Sequence, residues 1–245
     1  MRENVHEVAT ALGDLALPRF CVVCGRRLDL REKDLCLECL ADLPLTHFWE
    51  YFHNSMSDRF NAAVGRRLPD GTNVPYLHAA ALFFYNSDSG YRRIPQALKY
   101  KAAVRLGKRF SLMLGQRLAA SGCFDGIDAV IPVPLHWTRR LMRGYNQAEV
   151  IARSVAESLG CPLVTGTLVR RRRTRSQTKV STDSKAVNVL GAFCVRGGAI
   201  PYRHVLLVDD TFTTGATLAE CAATIVRFMP PGSRISAASL AYVGH

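Results

Sequence analysis

Short apolar runs alternate with segments of helical periodicity along most of this chain. Apolar runs predict strands at residues 76–85, 129–133, near 163, 205–208 and 235–243. Apolar positions that recur every three or four residues predict helices at residues 91–120, 146–159 and 216–228, the second of which ends at Gly160. Strands that alternate with helices need crossover connections. The pattern therefore predicts an α/β fold with a mostly parallel sheet flanked by helices.

The same pattern divides the chain into three units. Residues 1–17 have the spacing of a short amphipathic helix that Pro18 ends, and a cysteine-dense segment follows at 21–39. From Thr46 to Asn73 the pattern is irregular and contains the turn signal Pro69-Asp70-Gly71. We predict an N-terminal helix and cysteine module at 1–46, a connector or insertion at 47–75, and the α/β domain at 76–245.

The net positive charge of the chain favours some classes of ligand over others. The 245 residues include 32 Lys and Arg against 20 Asp and Glu, a formal net charge of +12, which favours phosphates, pyrophosphate or nucleic acid. Seven basic residues and no acidic one lie between Tyr91 and Phe110, a run that fits either a solvated helix face or an anion-binding surface. Acidic residues interrupt the first twenty positions, and no apolar run is long enough to span a bilayer. We expect a cytoplasmic, reducing location without a membrane partner.

Four of the eight cysteines form two C-x-x-C pairs, Cys21 with Cys24 and Cys36 with Cys39, separated by eleven residues. Each pair presents two thiolates to one tetrahedral ion, so the spacing favours structural Zn²⁺, because a closed four-cysteine set leaves no position open for chemistry. The competing interpretations are two local disulfides or a redox C-x-x-C. The remaining cysteines stand singly within or beside apolar elements and are expected to be buried: Cys123, Cys161, Cys194 and Cys221.

The predicted strand at 205–208 leads into the segment with the clearest ligand chemistry. Asp209 and Asp210 follow its carboxyl end, where open α/β sheets bind ligands, and a turn with Gly215 then leads into a helix. The backbone N–H groups of this turn suit a phosphate, with threonine hydroxyls as further donors. Two adjacent carboxylates fit a ribose 2′,3′-diol near Mg²⁺, whereas helix capping needs only one. The predicted binding residues are Asp209, Asp210, Thr211, Phe212, Thr213, Thr214, Gly215, Ala216 and Thr217.

This segment resembles the motif with which type I phosphoribosyltransferases bind phosphoribosyl pyrophosphate (PRPP). More narrowly, the chain resembles the ComF family, which comprises competence protein F-like and gluconate-utilisation protein X-like phosphoribosyltransferases, over most of its length except about 47–75. Four further stretches carry the narrower resemblance: Pro18-Arg19-Phe20-Cys21 with the cysteine module; Leu98-Lys99-Tyr100-Lys101; Ile131-Pro132-Val133-Pro134 with Arg140 and Arg143-Gly144-Tyr145-Asn146-Gln147; and Gln177-Thr178, Ser181, Asn188 and Gly191-Ala192-Phe193. The chain departs from the family in having Ser184-Lys185 in place of Glu-Arg, which keeps the charge but loses a planar fork.

The resemblance implies a type I phosphoribosyltransferase fold over 76–245 and Mg²⁺-dependent transfer of phosphoribose from PRPP. It makes Asp209, Asp210, Arg143 and Lys185 the candidate catalytic residues. It also adds Pro134 and Arg140 to the PRPP-binding set, on the side of the pyrophosphate. The stretch from Arg170, with six basic residues among the ten at 170–179, falls where these enzymes carry a flexible hood over the site.

Two classes of function stay open on the sequence alone. One is a glycosyltransferase with an unidentified acceptor. The other is a PRPP-responsive binding protein of DNA uptake, whose basic strips bind single-stranded DNA or a competence ATPase partner. The four adjacent arginines at 170–173 fit either a pyrophosphate or a nucleic-acid backbone. The sequence assigns neither the acceptor nor the oligomeric state, for which a homodimer is one option.

Overall fold

A parallel sheet forms the centre of the protein, which we describe from a computed structural model for residues 18–69, 72, 74–100, 104–171 and 190–244. The strands in chain order are β1 Ala79–Tyr85, β2 Ala129–Pro132, β3 Leu168–Arg170, β4 Phe193–Val195, β5 His204–Phe212 and β6 Arg234–Val243. Four of them form the sheet in the order β1-β6-β5-β2, with every pairing parallel. Strands β3 and β4 form a separate antiparallel pair.

Helices cover both faces of this sheet. The α-helices of the described residues are α1 Leu37–Ala41, α2 Ser55–Gly65, α3 Arg93–Ala97, α4 Val104–Ala120, α5 Trp137–Arg143, α6 Gln147–Leu159 and α7 Ala216–Ile225, of which α2, α4, α6 and α7 pack on the sheet. Helix α4 packs with α6, and α2 packs with α7. Residues 205–208 of β5 are fully buried, as expected for a parallel strand covered on both faces. The predicted mostly parallel α/β fold is confirmed. Within the described ranges, none of the helices has both the length and the apolar character needed to cross a bilayer.

The cysteine module docks against the edge of the sheet and against the predicted basic run. The backbone N–H of Thr46 donates to the carbonyl of Leu82 at 3.1 Å, which covers part of the outer edge of β1. Three arginines of α3 and α4 hold the module: Arg93 donates to the carbonyl of Val23 at 3.0 Å, Arg105 pairs with Asp34 at 3.2 Å, and Arg109 donates to the carbonyl of Lys33 at 3.2 Å. Part of the run between 91 and 110 therefore binds the protein's own backbone and carboxylates.

The helix predicted at 91–120 is interrupted. A 3₁₀ turn (Gly90–Arg92) and α3 are separated from α4 by a break after Leu98. The hydroxyl of Tyr145 donates to the carbonyls of Leu98 and Tyr100, which removes them from the helical hydrogen-bond ladder. The pairing of β5 with β6 also continues to Phe212, four residues beyond the predicted end of the strand.

The segment predicted as a connector contains helix α2, which the sequence pattern did not indicate. Asn54 caps this helix: its Oδ1 accepts from the backbone N–H groups of Met56 and Ser57 at 3.0 and 2.9 Å. Its Nδ2 donates to the carbonyl of Ala79 at 3.1 Å, so the cap also ties α2 to β1. The predicted helix at 1–17 lies outside the described residues.

We expect Asn54→Ala to lower the free energy of unfolding by about 1–2 kcal/mol, because an N-cap and a hydrogen bond to the sheet are both lost. Urea denaturation monitored by circular dichroism measures the change. Ser55→Ala, at the neighbouring exposed position, is the matched control and should stay within about 0.5 kcal/mol of the wild type. Equal losses in both variants would contradict the double role assigned to Asn54.

Candidate functional site

The carboxyl ends of β2 and β5 meet at one edge of the sheet, and the predicted ligand-binding residues lie there. The backbone N–H of Val133 donates to the carbonyl of Val208 at 2.8 Å, directly before the acidic pair. Asp209 and Asp210 belong to β5 itself, with Asp209 paired opposite Ser239. Successive side chains of a strand point to opposite faces. The two carboxylates therefore meet different neighbours: Asp209 lies near Cys221 of α7, and Asp210 lies near Arg143 of α5.

The acidic pair is electrostatically unfavourable in the ligand-free protein. Burial raises the pKa of Asp209 well above its usual range, and the neighbouring charge of Asp210 raises it further, although the N–H of Asp210 at 2.8 Å from Oδ1 and the nearby Arg170 oppose the shift. Burial also raises the pKa of Asp210, with Lys99 and Arg143 opposing it. The hydrogen bonds from Asp210 to Asp209 and from Thr211 to Asp210 therefore offset only part of the effect of burial on the two pKa values.

Gly215 shapes the turn between β5 and α7. Its φ of 75° lies in the left-handed region, and it occupies the N-cap of α7. A Cβ at this position would lie 2.6 Å from Cζ of Phe212, so the turn rests directly on the phenyl ring. Thr211 and Phe212 belong to β5, Thr213 and Thr214 form the turn, and Ala216 and Thr217 begin α7. The turn therefore presents a helix N-terminus beside the acidic pair, the setting that favours a phosphate.

The residues after β2 form the second wall of the site. Pro134 follows the strand, and the Nδ2 of Asn146 donates to the carbonyl of Val133 at 3.0 Å, which fixes the start of α6 against the strand end. Arg143 donates to Oε1 of Gln147 at 3.1 Å and lies close enough to Asp210 to affect its pKa. Arg140 differs, because its side chain is 61% exposed and its guanidinium pairs with Glu149 at 3.5 Å. Of the two predicted arginines, Arg143 lies near the acidic pair, whereas Arg140 pairs with α6.

The root of the predicted hood also reaches the site. Arg170 ends β3, lies beside Asp209, and its guanidinium is 5.3 Å from the ring centroid of Phe193. Burial lowers the pKa of Arg170, and the nearby charge of Arg139 lowers it further. On the far side of the hood, the backbone N–H of Gly191 donates to Glu220 on α7 at 2.7 Å. Residues 172–189, including Lys185, lie outside the described residues.

Three residues that sequence reasoning did not assign to the site lie at it. Lys99 is near Asp210, and the segment Leu98-Lys99-Tyr100 of the family resemblance was the signal that could have identified it. Tyr85 ends β1, near Asp210 and Thr211. Arg59, on α2, donates to the carbonyl of Thr213 at 2.6 Å. No motif marks Tyr85 or Arg59.

The four predicted metal ligands are brought together in the cysteine module. The sulfur atoms of Cys21, Cys24, Cys36 and Cys39 all lie within 4.8 Å of one another, and those of Cys24 and Cys36 are 3.8 Å apart. A tetrahedron with Zn–S bonds of about 2.3 Å has edges of about 3.8 Å, so the cluster fits one zinc ion. Each of the eight cysteines is a free thiol, which excludes the alternative of two local disulfides in this structure.

The relatives of this chain are named for competence and DNA utilisation. Competence protein F of Haemophilus influenzae is 39% identical over 95 residues, which are 38% of this chain and 42% of that protein. DNA utilization protein YhgH of Salmonella typhimurium is 34% identical over 135 residues, which are 53% of this chain and 58% of the relative. The aligned part thus spans about half the length of these relatives.

A solved structure and a family search complete the comparison. The crystal structure of orotate phosphoribosyltransferase from Aeropyrum pernix matches 72% of this chain and 77% of its own, with a TM-score of 0.31 and 18% identity. No protein-family model matches the chain. The curated relatives match at 39% and 34% identity over about half of their length, and these matches and the four-cysteine cluster support the resemblance to the ComF family.

Proposed function

We propose that this protein binds PRPP with Mg²⁺ at the carboxyl edge of β5 and transfers the phosphoribosyl group to an acceptor. One juxtaposition carries the proposal: the half-buried acidic pair Asp209-Asp210 directly precedes the turn that ends at Gly215, and the cations Arg143, Lys99 and Arg170 lie close enough to affect its pKa values. A ribose diol satisfies the carboxylates, the turn binds a monophosphate, and the cations suit a pyrophosphate. The resemblance to the ComF family and the partial matches to its relatives support the same assignment.

Each group has a defined part in the proposed transfer. Asp209 and Asp210 accept hydrogen bonds from the ribose 2′- and 3′-hydroxyls, and the N–H groups of residues 213–217 bind the 5′-phosphate. The C1–O bond breaks as pyrophosphate leaves with the electron pair, and a lone pair of the acceptor forms the new bond to C1. Arg143 stabilises the negative charge of the leaving pyrophosphate, and we propose Lys185, Pro134 and Arg140 on the same side. Mg²⁺, which prefers oxygen ligands such as these carboxylates, supplies further charge neutralisation when bound.

We expect the double variant Asp209→Asn/Asp210→Asn to weaken binding of Mg²⁺-PRPP by about a hundredfold or more, because two hydrogen bonds to charged groups of about 1.5–3 kcal/mol each are impaired. Isothermal titration calorimetry measures the affinity, and pyrophosphate release with a panel of nucleobases, amines and DNA measures transfer. Wild-type binding that the variant retains would contradict the site. Tight binding without pyrophosphate release would contradict transfer to those acceptors.

The single variant Asp209→Asn separates loss of the site from loss of the fold. Folding raises the pKa of Asp209. Its contribution to the free energy of unfolding is therefore fully present below the pKa of the unfolded state and is lost as the pH rises through the pKa of the folded state. Asn keeps an Oδ1 acceptor for the N–H of Asp210. We therefore expect a higher melting temperature than wild type at neutral pH, with the difference shrinking on acidification. A lower melting temperature at neutral pH would refute this electrostatic account.

We further propose that the cysteine cluster binds one structural Zn²⁺. Three features support it: the closeness of the four sulfur atoms, Gly25 with a φ of 77° in the first turn, and the thiol of Cys36, which accepts from the N–H of Cys39 at 3.4 Å. The ion has no open coordination position, so its role is to stabilise the module.

Purified protein is expected to contain one zinc per chain by mass spectrometry of metals, and Cys36→Ser should reduce zinc content and lower the melting temperature. Cys161→Ser, at a partly buried thiol outside the cluster, is the control and should retain zinc. Full zinc content in Cys36→Ser would disprove the assigned ligand set.

A second candidate function is binding of single-stranded nucleic acid, and two exposed aromatic rings, one on α5 and one directly after Lys99, favour it. Trp137 on α5 is 68% exposed and Tyr100 is 71% exposed. The arginines Arg139, Arg140 and Arg143 share α5 with Trp137. Exposed aromatic rings among cations are the combination that stacks bases while contacting phosphates.

In this second function, Trp137→Ala should weaken binding of an unstructured single-stranded DNA about fivefold or more, since stacking of one base contributes about 1–3 kcal/mol. Neutralising Arg170 and Arg171 should lower the salt dependence of the affinity. Fluorescence anisotropy at several salt concentrations measures both effects, with Phe228→Ala as a control at another exposed ring. If Trp137→Ala and Phe228→Ala bind alike, α5 is not the binding surface.

A further inference from the structure

Helix α2 is fixed against the elements that carry the ligand-binding turn. It packs on α7 and β1, and the hydroxyl of Ser57 accepts from the N–H of Ala79 at 2.8 Å. Just beyond its end, Arg67 pairs with Glu220 of α7 at 3.2 Å, with side chains only 7% and 10% exposed. A helix held at both ends in this way places its side chains accurately relative to the turn.

Arg59 is the side chain of α2 that reaches the turn. Its Nη2 donates to the carbonyl of Thr213 at 2.6 Å, and its Nη1 donates to the hydroxyl of Tyr242 at 2.8 Å. The guanidinium lies 5.8 Å from the ring centroid of Phe212 and 5.3 Å from that of Tyr242. These two rings stack at 5.7 Å with an interplanar angle of 20°. Nη1 also donates to the carbonyl of Val243 at 3.4 Å, so the cation is bound by two rings and three oxygen atoms.

These contacts act on the backbone that would receive a phosphate. Arg59 holds the carbonyl of Thr213, the first residue of the turn, while Phe212 supports Gly215 from below. With both ends of the turn held, its N–H groups need little reorganisation when an anion binds, which lowers the cost of binding. The guanidinium also places a permanent positive charge at the carbonyl of Thr213, and this charge attracts a phosphate dianion bound at the turn.

We infer that Arg59 is a positioning residue of the phosphate turn, which fixes the carbonyl of Thr213 and raises the affinity of the turn for a phosphate monoester. The inference rests on the proposed function and extends it to the segment between the cysteine module and β1. A merely structural role would make Arg59 equivalent to Arg67, which joins the same segment to α7 without touching the turn. The two arginines thus form a matched pair for a test.

The test compares Arg59→Met with Arg67→Met by calorimetric titration of Mg²⁺-PRPP, ribose 5-phosphate and inorganic pyrophosphate, at a temperature where both variants are folded. We expect Arg59→Met to weaken PRPP and ribose 5-phosphate by a similar factor of about tenfold, because a charged hydrogen bond to the turn is lost. Pyrophosphate alone should bind as in the wild type. Arg67→Met should lower the melting temperature and leave all three affinities within about twofold. Equal affinities for Arg59→Met and Arg67→Met would overturn the inference.

Two further variants keep the inference testable if Arg59→Met fails to fold. Arg59→Lys retains the charge but not the planar fork and should bind ribose 5-phosphate with an affinity between those of wild type and Arg59→Met, or about threefold weaker than wild type. Tyr242→Phe removes one oxygen partner of Arg59, keeps the carbonyls of Thr213 and Val243, and should bind nearly as wild type. A loss as large as that of Arg59→Lys would contradict the role of Thr213. If the wild-type protein binds neither PRPP nor ribose 5-phosphate, the proposed function itself is refuted. If the wild type binds both and the Arg59 variants bind them with the same affinity, only the role of Arg59 is refuted.

Discussion

The parallel pairing of β5 between β6 and β2 determines where every candidate ligand group lies. The carbonyl of Val208 accepts from Val133 of the β2 end, and Asp209 is paired opposite Ser239 of β6. Because β5 continues through the acidic pair, the pleat sends the two carboxylates toward different faces. Cations from separate elements then approach each of them, Arg170 from β3 and Arg143 from α5. A shift of register by one residue would exchange these partners.

This arrangement costs stability in the ligand-free protein. Both carboxyl groups have raised pKa values because burial removes water from them without supplying enough donors. Glu220 is a buried carboxylate in a different setting. One of its oxygens accepts a hydrogen bond from Arg67 and the other accepts from the backbone N–H of Gly191. The difference between Glu220 and the Asp209-Asp210 pair is informative. Strongly perturbed groups at the edge of a sheet are characteristic of functional sites, and hydroxyl donors of a ligand would remove the cost.

Local sequence patterns identified the parts of the site that depend on neighbouring residues. The strand, acidic pair, turn and α7 are contiguous, so Gly215 and the periodicity of the helix were enough to predict them. The cysteine spacing likewise predicted a cluster, because the ligands within each pair are only three residues apart. Arg59 could not be found in this way, since its partner Thr213 is 154 residues away. The break in the helix at 91–120 depends on Tyr145, 47 residues from Leu98, and helical periodicity carries no information about such a contact.

The cysteine module and the candidate ligand site share one segment of chain. The hydroxyl of Tyr91 donates to the carbonyl of Cys39 at 3.0 Å, and Arg93 binds the carbonyl of Val23, so the start of the segment is held by the module. A few residues later, Tyr145 holds the carbonyls on either side of Lys99, which lies near Asp210. The position of Lys99 thus depends on contacts from both directions. The cysteine module therefore contributes to the candidate site through packing, by holding the segment that places Lys99 near Asp210.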